Sequence, residues 1–180
     1  MCIRDREIDV LTALSTLNAV DGRFQFIRSN NGPTAIVDYA HTPDALKNVL
    51  STIKDIRNGN EELITVVGCG GDRDKAKRPK MAALATQFSD KVILTSDNPR
   101  SEDPEQIIED MKKGVEVQLK QKVMTIVSRE EAIRSACLFA KAGDIVLIAG
   151  KGHEKYQEIK GERFPFDDLA ILKETLQNQN

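Results

Sequence analysis

Three polar motifs close three apolar runs, and their residue types suit a small molecule that carries both signs of charge. Arg73 follows Gly68-Cys69-Gly70-Gly71-Asp72, Arg100 closes Asp97-Asn98-Pro99-Arg100, and Glu154 closes Gly150-Lys151-Gly152-His153-Glu154. A guanidinium offers a rigid fork of donors that grips a carboxylate through two parallel hydrogen bonds. Pro99 fixes its own φ and restricts Asn98, so this loop is pre-bent and the ordering cost of aiming Arg100 falls. Glu154 has the charge to receive an ammonium, and Lys151 or His153 the charge to meet a phosphate. Gly68, Gly70 and Gly71 let backbone N–H groups approach a ligand closely. Each motif also has a plainer reading. Asp-Asn-Pro is ordinary turn chemistry, Asp72-Arg73-Asp74-Lys75 suits a solvated helix start, and the glycine-flanked Lys151 suits a polar loop.

A fourth segment, Asp38-Tyr39-Ala40-His41, ends another apolar run. Asp38 can hydrogen-bond a ribose hydroxyl and His41 can sit near a phosphate or base; alternatively Asp38 caps the next helix and Tyr39 fills the core. Neither the full dinucleotide fingerprint nor a Gly-x-x-x-x-Gly-Lys-Ser/Thr phosphate loop occurs, so any ATP chemistry must draw its phosphate loop from elsewhere. His41 and His153 belong to no helical pair or Cys/His cluster, and no metal site is expected.

The elements that must position these residues alternate. Phe24 and Phe26, a turn at Asn30-Asn31-Gly32, and Ala35-Ile36-Val37 predict a hairpin. Thr42 caps a helix with Pro43 in its first turn and Leu46, Val49, Leu50 and Ile53 inward. Strands are expected over 62–67, 91–95, 123–127 and 144–149. The helices between them are expected over 78–88 (Met81, Leu84, Ala85 and Phe88 inward), 104–118 and 129–141, the last with a Ser128/Glu131 capping box. A second hairpin over 157–166 turns at Lys160-Gly161, and a helix starts near Asp168. Strands separated by helices predict an α/β fold: a doubly wound, mostly parallel Rossmann-like sheet with helices on both faces, plus hairpins near the start and end. The ends of parallel strands share one edge, the carboxyl edge, where open α/β sheets bind ligands.

Composition narrows the function classes. The 180 residues carry a net charge of −2 with 30% charged and 4% aromatic residues. That gives no bulk electrostatic case for nucleic acid or an anionic membrane and few rings for base stacking. No apolar stretch reaches the roughly 20 residues of a membrane span. Cys2, Cys69 and Cys137 are too widely spaced for a disulfide framework or zinc pattern, and Cys69 is the thiol nearest a candidate site. Ile8, Leu11, Leu14 and Leu17 form one stripe of a short helix whose partner is expected in a missing segment. Met1 to Arg6 is not a signal peptide and reads as a non-native stub on a truncated chain.

In this order the motifs resemble the carboxy-terminal domain of the Mur ligase family, in its diaminopimelate-adding branch. The likeness covers about residues 7–180 and rests on Gly22-Arg23-Phe24, Asp38-Tyr39-Ala40-His41-Thr42-Pro43, Gly68 to Pro79, Asp97 to Arg100, and Gly150 to Glu154. The resemblance implies a remnant of a central ATP-binding domain over 1–22 and an amino-acid-binding domain over 23–180. It implies a cytoplasmic, bacterial, monomeric enzyme of peptidoglycan synthesis that uses ATP and Mg²⁺, held mainly by a central domain. Such an enzyme joins meso-diaminopimelate to UDP-N-acetylmuramoyl-L-alanyl-D-glutamate through an acyl phosphate. Arg73, Asp97, Asn98, Pro99, Arg100, Gly150 and Glu154 match diaminopimelate-binding positions; Arg23, Asp38 and His41 match positions near the nucleotide. No catalytic residue is expected in this chain, which alone is expected to be inactive. Two alternatives stand beside this: a stand-alone module that binds an amino acid or nucleotide, and a lysine-adding Mur ligase domain.

Overall fold

The computed structural model describes residues 22–28, 32–57 and 59–178. The expected helix over 7–18 and the Asn30-Asn31 part of the first turn lie outside the described residues. The chain runs β1 (Gln25–Arg28), β2 (Thr34–Asp38), α1 (Pro43–Ile56), β3 (Leu63–Cys69), α2 (Lys77–Phe88), β4 (Lys91–Ser96) and α3 (Pro104–Lys112). A 3₁₀ turn (Val117–Lys122), β5 (Val123–Thr125), α4 (Arg129–Phe139), β6 (Ile145–Ala149), the pair β7 (Tyr156–Ile159) and β8 (Glu162–Pro165), and α5 (Asp168–Gln177) follow. Six strands form one sheet in the order β1-β2-β6-β3-β4-β5. Only β1 is antiparallel, paired with β2 through Phe26 opposite Ile36.

Side-chain alternation builds a core on each face. Leu63, Val67, Leu147 and Ala149 point toward α1, α2 and α3, where Leu46, Leu50, Ile53, Met81, Ile107 and Met111 meet them. Ile64, Val66, Val146 and Ile148 point the other way, toward Ala132, Ile133, Leu172 and Leu176 of α4 and α5. β6, β3 and β4 are immediate neighbours and run parallel, so the three motif-bearing loops leave one edge side by side.

Local signals account for most boundaries. Thr42 Oγ1 accepts from Ala45 N at 3.3 Å and Pro43 opens α1. Ser128 Oγ accepts from Glu131 N at 3.3 Å, the forward half of the expected capping box. Three expectations need correction. The helix expected to 118 stops at Lys112, because a Cβ on Gly114 would stand 1.9 Å from Pro79 O and that close approach turns the chain aside into the 3₁₀ segment. The strand expected over 123–127 is three residues long, as suits the sheet's outer edge. In α2, Met81 and Ala85 are buried as expected, but Leu84 and Phe88 are only half-buried while Ala82 and Arg78 are fully covered. That helix lies between α1 and α3, which widens its inward face.

Candidate functional site

The loop after β4 is organised from below by a lysine. Lys151 is fully buried, and its Nζ donates to Asn98 Oδ1 and to Tyr156 O, each at 2.7 Å. Glu154 Oε2 is 3.5 Å away and Asp97 Oδ1 3.3 Å. A buried ammonium needs such a shell, since desolvating an uncompensated charge is prohibitive. Lys151 is therefore committed to the protein, and the expectation that it meets a ligand phosphate is corrected. Its grip fixes the orientation of the Asn98 amide. With Oδ1 also accepting from Glu158 N at 3.0 Å, Nδ2 faces Glu154 Oε2 at 2.9 Å. Asp97 Oδ1 is buried, with the Lys151 ammonium 3.3 Å away as its counter-charge and no hydrogen bond among the described residues.

Arg100 is a non-glycine residue in the left-handed region, φ +52°. Such a conformation is costly and persists only when its surroundings enforce it. Here β7 does so: Arg100 N donates to Glu158 O at 3.0 Å and Arg100 O accepts from Lys160 N at 2.7 Å. The guanidinium donates through Nη1 to Gly71 O at 2.9 Å, and Nε lies 3.3 Å from Glu158 Oε2. Gln157 Nε2 donates to Asp97 O at 2.6 Å, so β7 supports the whole motif. The hairpin was legible in the sequence, but this supporting role was not.

Gly68, near the end of β3, and Gly71, just after it, make room for neighbouring backbone, while Gly70 lines the cleft. A Cβ on Gly71 would sit 1.9 Å from Pro99 O, and one on Gly68 would sit 2.6 Å from Thr95 O; Gly71 N donates to Asn98 O at 2.9 Å. The two loops thus cross in direct contact. Arg78, fully buried at the start of α2, ties the crossing down: Nη2 reaches Glu102 at 2.9 Å and Gly70 O at 3.4 Å, and Nη1 reaches Asp110 at 3.0 Å. Glu102 also accepts from Asp72 N at 2.7 Å. Those bonds, the Arg78 one first, hold its carboxyl down at about 2. Arg73 is exposed on the rim, where its Nη1 lies 3.5 Å from the carbonyl of Asp72. Burial pushes the Cys69 thiol up to about 12, which makes it an inert core residue.

Across the cleft stands Tyr39, between the rings of His41 (centroids 4.5 Å) and His153 (5.0 Å). Its hydroxyl meets Glu154 Oε1 at 3.5 Å; burial, then the Glu154 charge, raises the phenol above its usual range and keeps it a donor. Asp38 spends its carboxylate on backbone: Oδ2 accepts from Phe24 N at 2.7 Å and Oδ1 from Ala40 N at 2.8 Å. Burial still raises its carboxyl above the usual range. Arg23 is exposed beside it. Below β6, Arg129 and Asp168 form a fully buried bidentate pair at 2.9 and 2.7 Å, and Arg129 also donates to Ala149 O at 3.1 Å, anchoring the strand just before Gly150.

Arg73, Asp97, Asn98, Arg100, Gly150, Glu154 and His41 line one cleft of about 740 Å³; Pro99, Arg23 and Asp38 do not line it. Tyr39, Lys77, Lys80 and Tyr156 also line it; the sequence suggests Tyr39 as a core filler and assigns Lys77, Lys80 and Tyr156 no role. Asn98, Lys151 and Tyr39 hold the Glu154 carboxylate in place, and Arg73 and Arg100 supply cationic forks. Such walls suit a ligand with carboxylates and ammonium groups. Among the described residues no group of three or more His, Cys, Asp or Glu side chains could hold a metal ion. No helix among them is long and apolar enough to cross a membrane.

Fold and cleft together define an open α/β domain with a charge-lined ligand site at the carboxyl edge of its sheet. The family model described as "Mur ligase, glutamate ligase domain" matches residues 22–152, and the chain belongs to that family. It is 59% identical over 172 residues to the UDP-N-acetylmuramoyl-L-alanyl-D-glutamate–2,6-diaminopimelate ligase of Cytophaga hutchinsonii, covering 96% of this chain and 35% of that relative. The ligase of the same name from Bacteroides fragilis is 59% identical over 169 residues, covering 94% of this chain and 35% of the relative. A solved structure of a ligase of that name superposes with a TM-score of 0.82 at 46% identity, over 96% of this chain and 37% of that one. A murein peptide ligase from Psychrobacter arcticus shares the fold at a TM-score of 0.63 and 20% identity, over 93% of this chain and 32% of that one. The chain thus spans about 35% of the length of the curated relatives it matches.

Proposed function

We propose that this chain receives the incoming amino acid for an ATP-dependent ligase that adds meso-diaminopimelate to UDP-N-acetylmuramoyl-L-alanyl-D-glutamate in peptidoglycan synthesis. The observation that carries the reading is the placement of Arg73, Arg100 and the Asn98–Glu154 pair around one cleft. Diaminopimelate has two carboxylates and two ammonium groups. Arg73, Arg100 and Asn98 receive the carboxylates; Glu154 and the carbonyl of Gly150 receive an ammonium. Holding the amine in place converts a bimolecular attack on an activated carboxyl into a positioned one, which is where such a domain contributes rate. ATP serves to activate that carboxyl as an acyl phosphate. The residues described in this chain do not fit ATP·Mg²⁺: they include neither a phosphate loop nor a metal cluster, and the Asp38 carboxylate is engaged by backbone amides. Those groups belong, in this reading, to the part of the relatives that the chain does not match. The family match beginning at residue 22 supports the domain boundary expected there. A cytoplasmic monomer fits this reading.

Lysine lacks the distal carboxylate. With lysine bound, Arg100 keeps Gly71 O and Glu158, so discrimination comes from its cleft-facing edge alone. The relatives that are 54–59% identical are named for diaminopimelate, which favours that substrate over lysine and a ligase over a stand-alone binding module. Calorimetric titration of the 180-residue chain tests the reading. Meso-diaminopimelate is expected to bind more tightly than L-lysine; equal affinities contradict it.

A further inference from the structure

The guanidinium of Arg100 already has a carboxylate beside it. Glu158 Oε2 lies 3.3 Å from Nε, on β7, and Glu158 is not among the residues lining the cleft. Nη1 is occupied by Gly71 O at 2.9 Å, with Asn98 O at 3.5 Å, while Nη2 has no hydrogen-bond partner among the described residues. Both Glu158 and Arg100 are part-buried, with side-chain exposures of 24% and 18%, so the pair is only partly screened by solvent. Glu158 thus has two separable attachments to Arg100. Its backbone carbonyl holds the Arg100 amide, and its carboxylate gives the guanidinium a counter-charge at Nε.

We infer that Glu158 sets the specificity of the site by reducing the positive charge that Arg100 presents to the distal end of the bound amino acid. The inference rests on the reading above, in which that end carries a carboxylate. A carboxylate arriving at Arg100 feels the attraction of the guanidinium and the repulsion of Glu158; an ammonium arriving there feels both with the sign reversed. The Glu158 carboxylate therefore narrows the gap between diaminopimelate and lysine. In exchange it supplies the empty site with a counter-charge for a part-buried arginine. The aim of Arg100 does not depend on that charge, because the β7 backbone and the Gly71 carbonyl hold it independently.

Glu158→Gln removes the charge and keeps the shape. In calorimetric titrations of the 180-residue chain, the substitution is expected to tighten meso-diaminopimelate binding by about three- to tenfold and to leave L-lysine unchanged or weaker. The thermal midpoint of the ligand-free chain is expected to fall. Affinity and stability moving in opposite directions is what a merely structural residue does not produce. Glu158→Ala is expected to move both quantities the same way as Glu158→Gln. Weaker diaminopimelate binding, or an equal shift for both ligands, overturns the inference. If the unsubstituted chain itself shows no preference for diaminopimelate, the proposed function fails and this inference with it. A preference that persists with an unaltered ratio in Glu158→Gln removes the role of Glu158 alone.

Discussion

Arg100 and Lys151 are both cations at the cleft, yet they do opposite work, and burial tells them apart. Lys151 is sealed off and spends its charge on Asn98, Tyr156, Asp97 and Glu154, whereas Arg100 keeps one edge toward the cleft. Replacing Arg100 with alanine removes a charge-assisted contact worth about 1.5–3 kcal/mol, so the preference for diaminopimelate over lysine is expected to shrink by about tenfold or more in competing titrations. An unchanged preference would place the discrimination elsewhere. Lys151→Met keeps the length and deletes the charge, leaving two carboxylates and an amide without their shared donor. The expected loss is about 3–5 kcal/mol in urea unfolding, with binding reduced alongside it. A loss below about 1 kcal/mol would show that Lys151 is not the keystone described here. Sequence pattern could single out Lys151 but not its orientation. A lysine between glycines at a strand end fits a phosphate site as well as a buried knot, and only the three-dimensional arrival of Tyr156 and Asn98 decides between them.

At the scale of elements, the site depends on two loops crossing without side chains between them. Gly71→Ala would push a methyl group into Pro99 O, and the crossing is expected to open at about 2 kcal/mol or more in stability, with Arg73 and Arg100 no longer held in register. Intact binding in that variant would show that the crossing does not set the site. The Arg78–Glu102 tie gives the same loops an acid-sensitive fastening. The Glu102 carboxyl sits at about 2 against an ordinary 4.5. Because the folded value is depressed, the stabilisation is complete above pH 4.5 and drains away as pH falls toward 2. Unfolding free energies from urea titrations between pH 5 and 2.5 are expected to decline more steeply in the parent than in Glu102→Gln, by on the order of 1 kcal/mol after solvent screening. Parallel declines would count against the tie. Much of this level was readable beforehand: the strand–helix alternation, the caps at Thr42 and Ser128, and the Lys160-Gly161 hairpin all follow from local residue chemistry. The crossing was not readable, because the partners of Gly68 and Gly71 lie some 27 residues downstream and glycine spacing alone cannot distinguish a close backbone from a close ligand. The end of α3 was hidden for the same reason, since the approach of Pro79 to Gly114 is a tertiary event.

For the molecule as a whole, sheet order does the assembling. Placing β6 between β2 and β3 sets the Gly150 loop beside the Asp38 and Gly68 loops, and β4 adds the Asp97 loop next to them. Charges far apart in sequence thereby meet at one edge, while the short helices α4 and α5 brace the opposite face through the Arg129–Asp168 pair. The 180-residue chain by itself is expected to release no phosphate from ATP when given the dipeptide substrate and diaminopimelate. A protein of the relatives' length carrying this domain is expected to do so, and turnover by the 180 residues alone would contradict the division of labour. The central claim is that Arg73, Arg100 and Glu154 embrace one amino acid that is a zwitterion at both ends. A crystal structure of the chain with meso-diaminopimelate tests it most directly. The account expects the two carboxylates at Arg73 and Arg100 and an ammonium at Glu154; a ligand bound away from those three side chains, or with its carboxylates turned from both arginines, would contradict it.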